Sequence, residues 1–257
     1  MNTAALRSTA IASSGFVVLF VCWFLATSVF GVIAPVRLPS PTDVYRAFVQ
    51  LLGPGYADEN LATHVLQSLR RVLIAYGVAA AMAIPLGIVM GLNRRADGLI
   101  NPVFQLLRPI PALAWIPLAI LWFGLELSAQ VFITALAAFP PMVINTYSGV
   151  RLVNPTLIAA ARVHGASSRD VLYGVVIPSA LPMIFTGLRI SLQVCWMALV
   201  AAELVGSRSG LGHIMIIAAR DLNSAMIAAA MICVTLLGVV MTTILSAVEK
   251  AAMPWRT

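Results

Sequence analysis

The sequence is poor in charge. Of its 257 residues only 10% are Asp, Glu, Lys or Arg, whereas 61% are hydrophobic. A soluble domain carries about 25% charged residues. This shortage excludes an ordinary soluble globular protein and predicts a protein that resides in the lipid bilayer.

Lysine is nearly absent, since Lys250 is the single example. A Walker A phosphate loop requires GxxxxGK followed by Ser or Thr, and the residues around Lys250 do not supply it. Neither the HExxH zinc motif nor the GxSxG nucleophile elbow occurs. The three histidines lie on separate predicted elements. The chain therefore has no recognisable nucleotide site or catalytic constellation, and we predict that it is not an enzyme.

Cysteine is also scarce. Cys22, Cys195 and Cys233 each lie inside a different apolar run, and their spacing matches neither a metal site nor a disulfide framework. We interpret them as small packing residues. The net charge of +7 does not indicate nucleic acid, because the basic residues lie mostly in short segments between apolar runs.

Long apolar runs dominate what remains. A transmembrane helix needs roughly 20 apolar residues, and the sequence predicts an all-α, polytopic integral membrane bundle with about six such helices. The first charge-free run, 8–36, is too long for a signal-peptide core and is interpreted as a retained span. A single membrane domain, 1–257, is predicted, with spans at about 15–34, 68–92, 99–124, 127–150, 179–205 and 225–247.

The distribution of basic residues favours a cytoplasmic N-terminus. With that orientation eight Lys or Arg residues lie inside and six outside, which is a small bias in the direction of the positive-inside rule. Both termini are then cytoplasmic. In the last outer loop, 206–225, the stretch HIMIIAA is too short to span; a helix dipping beside the pathway and an interfacial cap remain open.

One polar segment, 151–178, interrupts the apolar pattern. Asn154 is a favourable N-cap for a short helix, and Gly165 can adopt the left-handed conformation that ends it. Ser167, with an aspartate three residues later, begins a second helix, which Pro178 is expected to end. The sequence predicts two short helices, hinged at the glycine, outside the membrane.

This segment resembles the signature of binding-protein-dependent ABC transporter permeases, in which Glu-Ala-Ala is followed by a glycine and, nine residues later, by Ile-x-Leu-Pro. The matching positions are Ala160, Ala161, Gly165 and Pro178, with Val175 and Ile177 as conservative aliphatic changes. Alanine replaces the glutamate of the signature at position 159. The resemblance implies that 151–178 is a cytoplasmic coupling loop that docks on a separate ATPase subunit. Its candidate contact residues are Ala159, Ala160, Ala161, Arg162, His164, Gly165, Ala166, Ser167, Arg169, Ile177 and Pro178.

Further stretches resemble the taurine, alkanesulfonate and nitrate permeases in their order along the chain, among them SLRRVL, LLRPIPALAWIPLAILWFG, LVAAELV and GLGHI. The resemblance implies an importer in the bacterial inner membrane. Its partners would be a second copy of the chain, two ATPase subunits that bind ATP and Mg, an extracytoplasmic solute-binding protein and lipid; no cofactor is implied for this chain. The solute would be taurine, an alkanesulfonate, nitrate or a similar small anion. Related permeases also serve aromatic acids and pyrimidine precursors, so these alternatives remain open.

Two arginines are predicted at one depth inside the bundle, roughly 14 Å from the inner surface. A central arginine that faces lipid costs about 2.5–3.5 kcal/mol, and no carboxylate is expected at this depth. One hypothesis is that Arg108 and Arg189 face the translocation path and attract an anionic solute. The other is that they reach lipid phosphates or cap carbonyls freed at proline bends. Glu203 is predicted near the outer end, paired with Arg208 or Arg220, with solute binding as the alternative.

Other classes of membrane protein are less compatible with the sequence. An ion-coupled secondary transporter predicts acidic residues in the middle of spans and internal repeats, and neither is evident. A scaffold that docks a partner without transporting anything remains possible from the residues alone.

Overall fold

The described part of the computed structural model, residues 14–15, 17–30 and 34–255, is a bundle of helices. It confirms the all-α transmembrane class. The helices in chain order are α1 (Val17–Val29), α2 (Pro41–Leu52), α3 (Leu61–Leu92), α4 (Arg94–Leu107), α5 (Ile116–Phe123), α6 (Leu127–Arg151), α7 (Pro155–Val163), α8 (Ser168–Val171), α9 (Ile177–Gly206), α10 (Leu211–Arg220) and α11 (Ser224–Ala252).

Four helical segments of the described residues are long and apolar enough to cross a membrane. They are α3, α6, α11 and the continuous helix formed by α8 and α9, Ser168–Gly206. The first predicted span, 15–34, lies partly outside the described residues, and the apolar helix α1 covers 17–29 of it. The described chain therefore contains four spans, or five when the bent pair α4 and α5 is taken as one.

The predicted span 99–124 corresponds to two helices, α4 and α5, which meet at an angle of 80°. Pro109 and Pro111 lie at the break, and a short 3-10 turn, Ala112–Trp115, precedes α5. Proline has no backbone N–H and its ring clashes with the preceding turn, so two prolines in three residues end a helix. The bend places a polar backbone break inside the bundle.

The fifth span begins earlier than predicted. Pro178 does not end a helix, because α8 runs through a π-helical turn, Leu172–Val176, directly into α9. Pro178 lies in the first turn of α9, where a missing N–H is tolerated. A π turn absorbs the local mismatch in the hydrogen-bond ladder. The second helix of the coupling loop and the fifth span are consequently one helix of 39 residues.

The core is built around α6, which packs between α3 and α9. A Cβ atom added to Gly87 of α3 would lie 2.7 Å from the Cβ of Thr146, and one added to Gly187 of α9 would lie 2.7 Å from the Cβ of Asn145. Glycine at these two positions lets the helix backbones approach closely, which is the usual basis of helix association in membranes.

The two ends of the bundle carry different short helices. At one end α7 packs on α8 and on the π turn 172–176, and its Ile158 and Ala161 join an apolar cluster with Val150 of α6 and Val176 of the π turn. At the other end α10 packs with α2 and the N-terminal half of α11, through residues such as Ile214 and Met226. These ends are called the coupling end and the α10 end below.

Helix α2 follows the first predicted span and is amphipathic. Ser40 accepts a hydrogen bond from the Asp43 N–H at 3.2 Å, and the Asp43 carboxylate accepts one from the Ser40 N–H, which completes a capping box. The apolar face, with Val44, Ala47 and Leu51, is buried against α10 and α11.

Candidate coupling surface and translocation path

The predicted loop 151–178 has the expected local structure up to Ser167. The Asn154 side chain accepts a hydrogen bond from the Thr156 N–H at 2.9 Å and caps α7. Gly165 follows α7 with φ of +80°, a left-handed conformation that costs an L-residue with a side chain roughly 1–2 kcal/mol. The Ala166 N–H then bonds back to the Ala161 carbonyl at 3.1 Å. This return bond closes the turn that ends α7.

Ser167 begins the second helix as predicted. Its hydroxyl accepts from the Asp170 N–H at 3.3 Å, and the Asp170 carboxylate accepts from the Ser167 N–H at 2.9 Å. This capping box fixes the point at which the chain turns from α7 into α8. The two helices are therefore positioned by the glycine and the cap together.

The loop divides into a packed face and an exposed face. Ile158, Ala161 and Ala166 pack on the coupling end of the bundle, and Ile177 and Pro178 are half-buried. The exposed residues of the predicted set are Ala159, Ala160, Arg162, His164, Gly165, Ser167 and Arg169. Together with Leu152, Val163 and Tyr173, they are called the coupling surface.

The coupling surface combines exposed apolar side chains with cations. Val163 is 86% exposed, Leu152 73% and Tyr173 68%. Within the described chain, neither Arg162 nor Arg169 has a carboxylate within 4 Å. Large exposed apolar side chains beside unpaired cations are typical of a protein–protein interface.

At the α10 end the expected partner of Glu203 is corrected. The pairing predicted with Arg208 or Arg220 is wrong, because Glu203 is paired with Arg71 of α3 at 2.7 Å from Nη1 to Oε1. The side chain of Glu203 is fully buried and that of Arg71 is 8% exposed. Burial without a partner would be costly for either charge, and the pair therefore ties α3 to α9.

The same carboxylate holds the start of α10. Its Oε2 accepts from the Gly212 N–H at 2.8 Å, and the Ser68 hydroxyl donates to Oε1 at 2.8 Å. The Ser68 oxygen in turn accepts from the Leu211 N–H at 2.9 Å. N–H groups in the first turn of a helix have no partner within the helix, and a carboxylate there also interacts favourably with the helix dipole.

His64 and Tyr56 extend this network to the preceding loop. The Gly210 N–H donates to Nδ1 of His64 at 3.0 Å, so Nδ1 is unprotonated and Nε2–H donates to the Tyr56 carbonyl at 3.0 Å. The Tyr56 hydroxyl donates to the Asp221 carboxylate. Burial and this hydrogen bond raise the pKa of Tyr56 to about 12. The hydroxyl therefore remains a donor at neutral pH, and both ends of α10 are held by neighbouring segments.

Arg108 and Arg189, which were predicted at one depth, have different environments in the structure. Arg189 is paired with Glu249 of α11, so the expectation that no carboxylate lies at its depth is wrong. Sequence reasoning missed Glu249 because α11 was predicted to end at 247, whereas it continues to Ala252. Arg108, in contrast, follows the last residue of α4 at the break before α5, is exposed, and has no ion pair within the described residues.

Comparison with known proteins agrees with this architecture. Residues 83–255 match the model of the binding-protein-dependent transport system inner membrane component. The chain belongs to this family. It is the inner-membrane permease subunit of an ABC importer, a non-catalytic subunit that works with a separate ATPase and a binding protein.

Individual relatives show which permeases of the family the chain is similar to. The chain is 37% identical over 240 residues to the taurine transport system permease protein TauC of Escherichia coli (strain K12), covering 93% of this chain and 86% of that protein. It is 33% identical over 226 residues to the putative aliphatic sulfonates transport permease protein SsuC of Bacillus subtilis (strain 168), covering 88% and 80%. A chain of the inward-facing MetNI methionine ABC transporter superposes with a TM-score of 0.65 at 19% identity, covering 75% of this chain and 95% of that one. The last likeness concerns the fold.

Proposed function

We propose that two copies of this chain form the translocation path of an importer for a small organic anion such as taurine or an alkanesulfonate. Each copy docks one ATPase subunit through its coupling surface. The coupling end faces the cytosol, and the α10 end faces the solute-binding protein. Both termini then lie on the cytosolic side.

The observation that carries the proposal is the composition of the coupling surface. Val163 and Tyr173 would lose contact with water in a complex, a favourable term of about 25 cal/mol per Å² of apolar area. Arg162 and Arg169 are available for acidic groups of a partner, where guanidinium–carboxylate hydrogen bonds add specificity. Ala159 and Ala160 place only small side chains on the exposed side of α7, so a partner surface can approach the helix backbone closely.

Orientation rests on charge and on the course of the helices. The bias of basic residues towards the coupling end follows the positive-inside rule. Helix α11 starts beside α10 and runs antiparallel to α9, and its Glu249, close to the C-terminal end, contacts Arg189. The C-terminal end of α11 is thus directed towards the coupling end.

The solute class follows from the named relatives. The similar permeases serve taurine and aliphatic sulfonates by their names, and both solutes carry a sulfonate group on a short hydrocarbon body. Arg108, an arginine without a carboxylate partner at the break between α4 and α5, supplies a cation that suits such a group.

Docking is tested by charge and polarity changes on the coupling surface. We expect Val163→Asp and Arg162→Glu to abolish co-purification of the partner ATPase subunit. The matched control is Arg46→Glu, which changes an exposed arginine of α2 (80% exposed side chain) at the α10 end. Retention of the ATPase by both coupling-surface variants would contradict the docking assignment.

Transport is tested with the complete system in proteoliposomes. We expect ATP-dependent uptake of labelled taurine or propanesulfonate that requires the binding protein, and cross-linking of the permease as a dimer. Uptake of benzoate or orotate instead would favour the aromatic-acid or pyrimidine-precursor alternative. Uptake without any ATPase would favour an ion-coupled transporter.

A further inference from the structure

The break between α4 and α5 opens a pocket of about 370 Å³, whose other lining residues come from α6 and, through Val194, from α9. This volume is within the range of roughly 300–1,000 Å³ that is typical of small-molecule sites. Three aromatic side chains line it, Phe104, Trp115 and Phe139, together with aliphatic residues and Arg108. Apart from the guanidinium, the lining side chains offer one polar group, the indole N–H of Trp115.

The pocket lies near the middle of the bundle. Its α6 residues, 136–140, begin nine residues after Leu127 and end eleven before Arg151. At 1.5 Å per residue this is roughly 15 Å from either end of the helix. Arg108 thus holds a positive charge at the depth where hydration by bulk water is poorest.

Arg108 differs from Arg71 of α3 and Arg189 of α9. Arg71 and Arg189 have Glu203 and Glu249 as partners. Over the residues that the structure describes, no carboxylate lies within 4 Å of Arg108, and it is the one charged side chain that lines the pocket. The exposed guanidinium is available to donate hydrogen bonds to an anion in the pocket.

We propose that this pocket is a solute site within the permease and that it takes an organic anion, a sulfonate or carboxylate on a short hydrocarbon body. The inference rests on the proposed function and assigns its solute contact. The guanidinium donates two parallel hydrogen bonds to two oxygens of the anionic group. The hydrocarbon body lies against Phe104, Trp115 and Phe139 and leaves water, which is favourable.

The same geometry discriminates against small inorganic anions. Nitrate is hydrated on all of its oxygens and has no apolar part to bury against the pocket wall. One guanidinium and one indole N–H cannot replace that hydration shell, so desolvation is not compensated. The pocket therefore selects organic sulfonates and carboxylates over nitrate.

The test uses the purified full chain in nanodiscs of zwitterionic lipid and measures its thermal unfolding midpoint. We expect 1-propanesulfonate to raise the midpoint of the wild type and sodium nitrate at equal ionic strength to leave it unchanged. Arg108→Gln should show no rise of the midpoint. Arg108→Lys keeps the charge but cannot donate two parallel hydrogen bonds, and it should bind propanesulfonate at least tenfold more weakly. Ala137→Leu, which fills the pocket without changing its charge, should also lose the rise.

Arg46→Gln is the control and should respond like the wild type. A wild-type response in Arg108→Gln or Ala137→Leu, or an equal response to nitrate, would overturn the proposal. So would an Arg108-dependent rise produced by phosphatidylglycerol alone, because the guanidinium would then bind a lipid headgroup. If Arg108→Gln does not fold, Arg108→Lys and Ala137→Leu decide.

Different outcomes contradict the proposed function and the solute site. Arg108→Gln should still co-purify with its ATPase, and Val163→Asp should still respond to propanesulfonate. Retention of the ATPase by Val163→Asp and Arg162→Glu, with an intact propanesulfonate response, would reject the docking surface and leave the solute site supported.

Discussion

Arg71 of α3 and Glu203 of α9 form a buried ion pair at 2.7 Å, 132 residues apart in the chain. The carboxylate of this pair also accepts an N–H from the first turn of α10. Two membrane-spanning helices and one short helix therefore meet at a single side chain. The first two predictions concern this junction.

Replacing Glu203 by Gln should destabilise the protein strongly. Arg71 would keep its charge in a buried position with no carboxylate beside it, and breaking a buried pair in this way costs roughly 3–5 kcal/mol. The free energy of unfolding, measured by SDS titration in mixed micelles, checks this. Arg46→Gln removes an exposed pair at 3.8 Å and should cost less than about 1 kcal/mol. Equal effects of the two variants would contradict the assigned role of the pair.

Replacing Gly210 by Ala should detach the start of α10. Gly210 has φ of +120°, and an added Cβ would lie 2.4 Å from Oε1 of Glu203. The backbone strain alone is of order 1–3 kcal/mol, and the clash adds to it. The matched control is Gly98→Ala in α4, where nothing lies within 4 Å and alanine favours the helix. Limited proteolysis at α10 should rise in the first variant and stay unchanged in the second.

Leucine at Gly87 should prevent assembly of the core, because the added side chain would enter the backbone contact between α3 and α6. Leucine at Gly77 of the same helix should be tolerated, since nothing lies within 4 Å of that position and it is exposed. The yield of monodisperse protein in detergent measures the difference. Comparable yields would show that close packing of α3 on α6 is not required.

Gly165 should tolerate Asn better than Val. The space around it is open, with nothing within 4 Å of an added Cβ, but its φ of +80° disfavours side chains, most strongly β-branched ones. ATPase activity stimulated by the loaded binding protein should therefore fall in the order Gly, Asn, Val. A Val variant with full stimulation would show that the left-handed turn does not matter for coupling.

Features fixed by neighbouring residues were predictable from the sequence. The caps at Asn154 and Ser167 and the turn at Gly165 depend on residues within three positions, and the structure has all of them. The polar partners of Glu203 and Arg189 were not predictable, because Arg71 and Glu249 lie 132 and 60 residues away. The stretch SLRRVL contains Ser68 and Arg71 and was noted as a match, but nothing local indicates that these side chains turn inward.

The break between α4 and α5 was predicted only in part, because proline bends were expected but not a division into two helices at 80°. The prolines at 109 and 111 were visible in the sequence, yet many membrane helices tolerate proline when neighbouring groups satisfy the freed carbonyls. Whether a proline kinks a span or divides it depends on the packing around it. Here α6 and α9 leave room for the division, and the pocket beside Arg108 results from it.

The unbroken helix from Ser168 to Gly206 has a mechanical consequence. Ser168 adjoins the coupling surface, and Glu203 lies 35 residues further on, about 50 Å along the axis. A movement of Ser168 along the helix axis is transmitted to Glu203, except where the helix bends at the π turn 172–176 or at Pro182. The segment around Glu203 that holds α10 is therefore coupled mechanically, along one helix, to whatever binds the coupling surface.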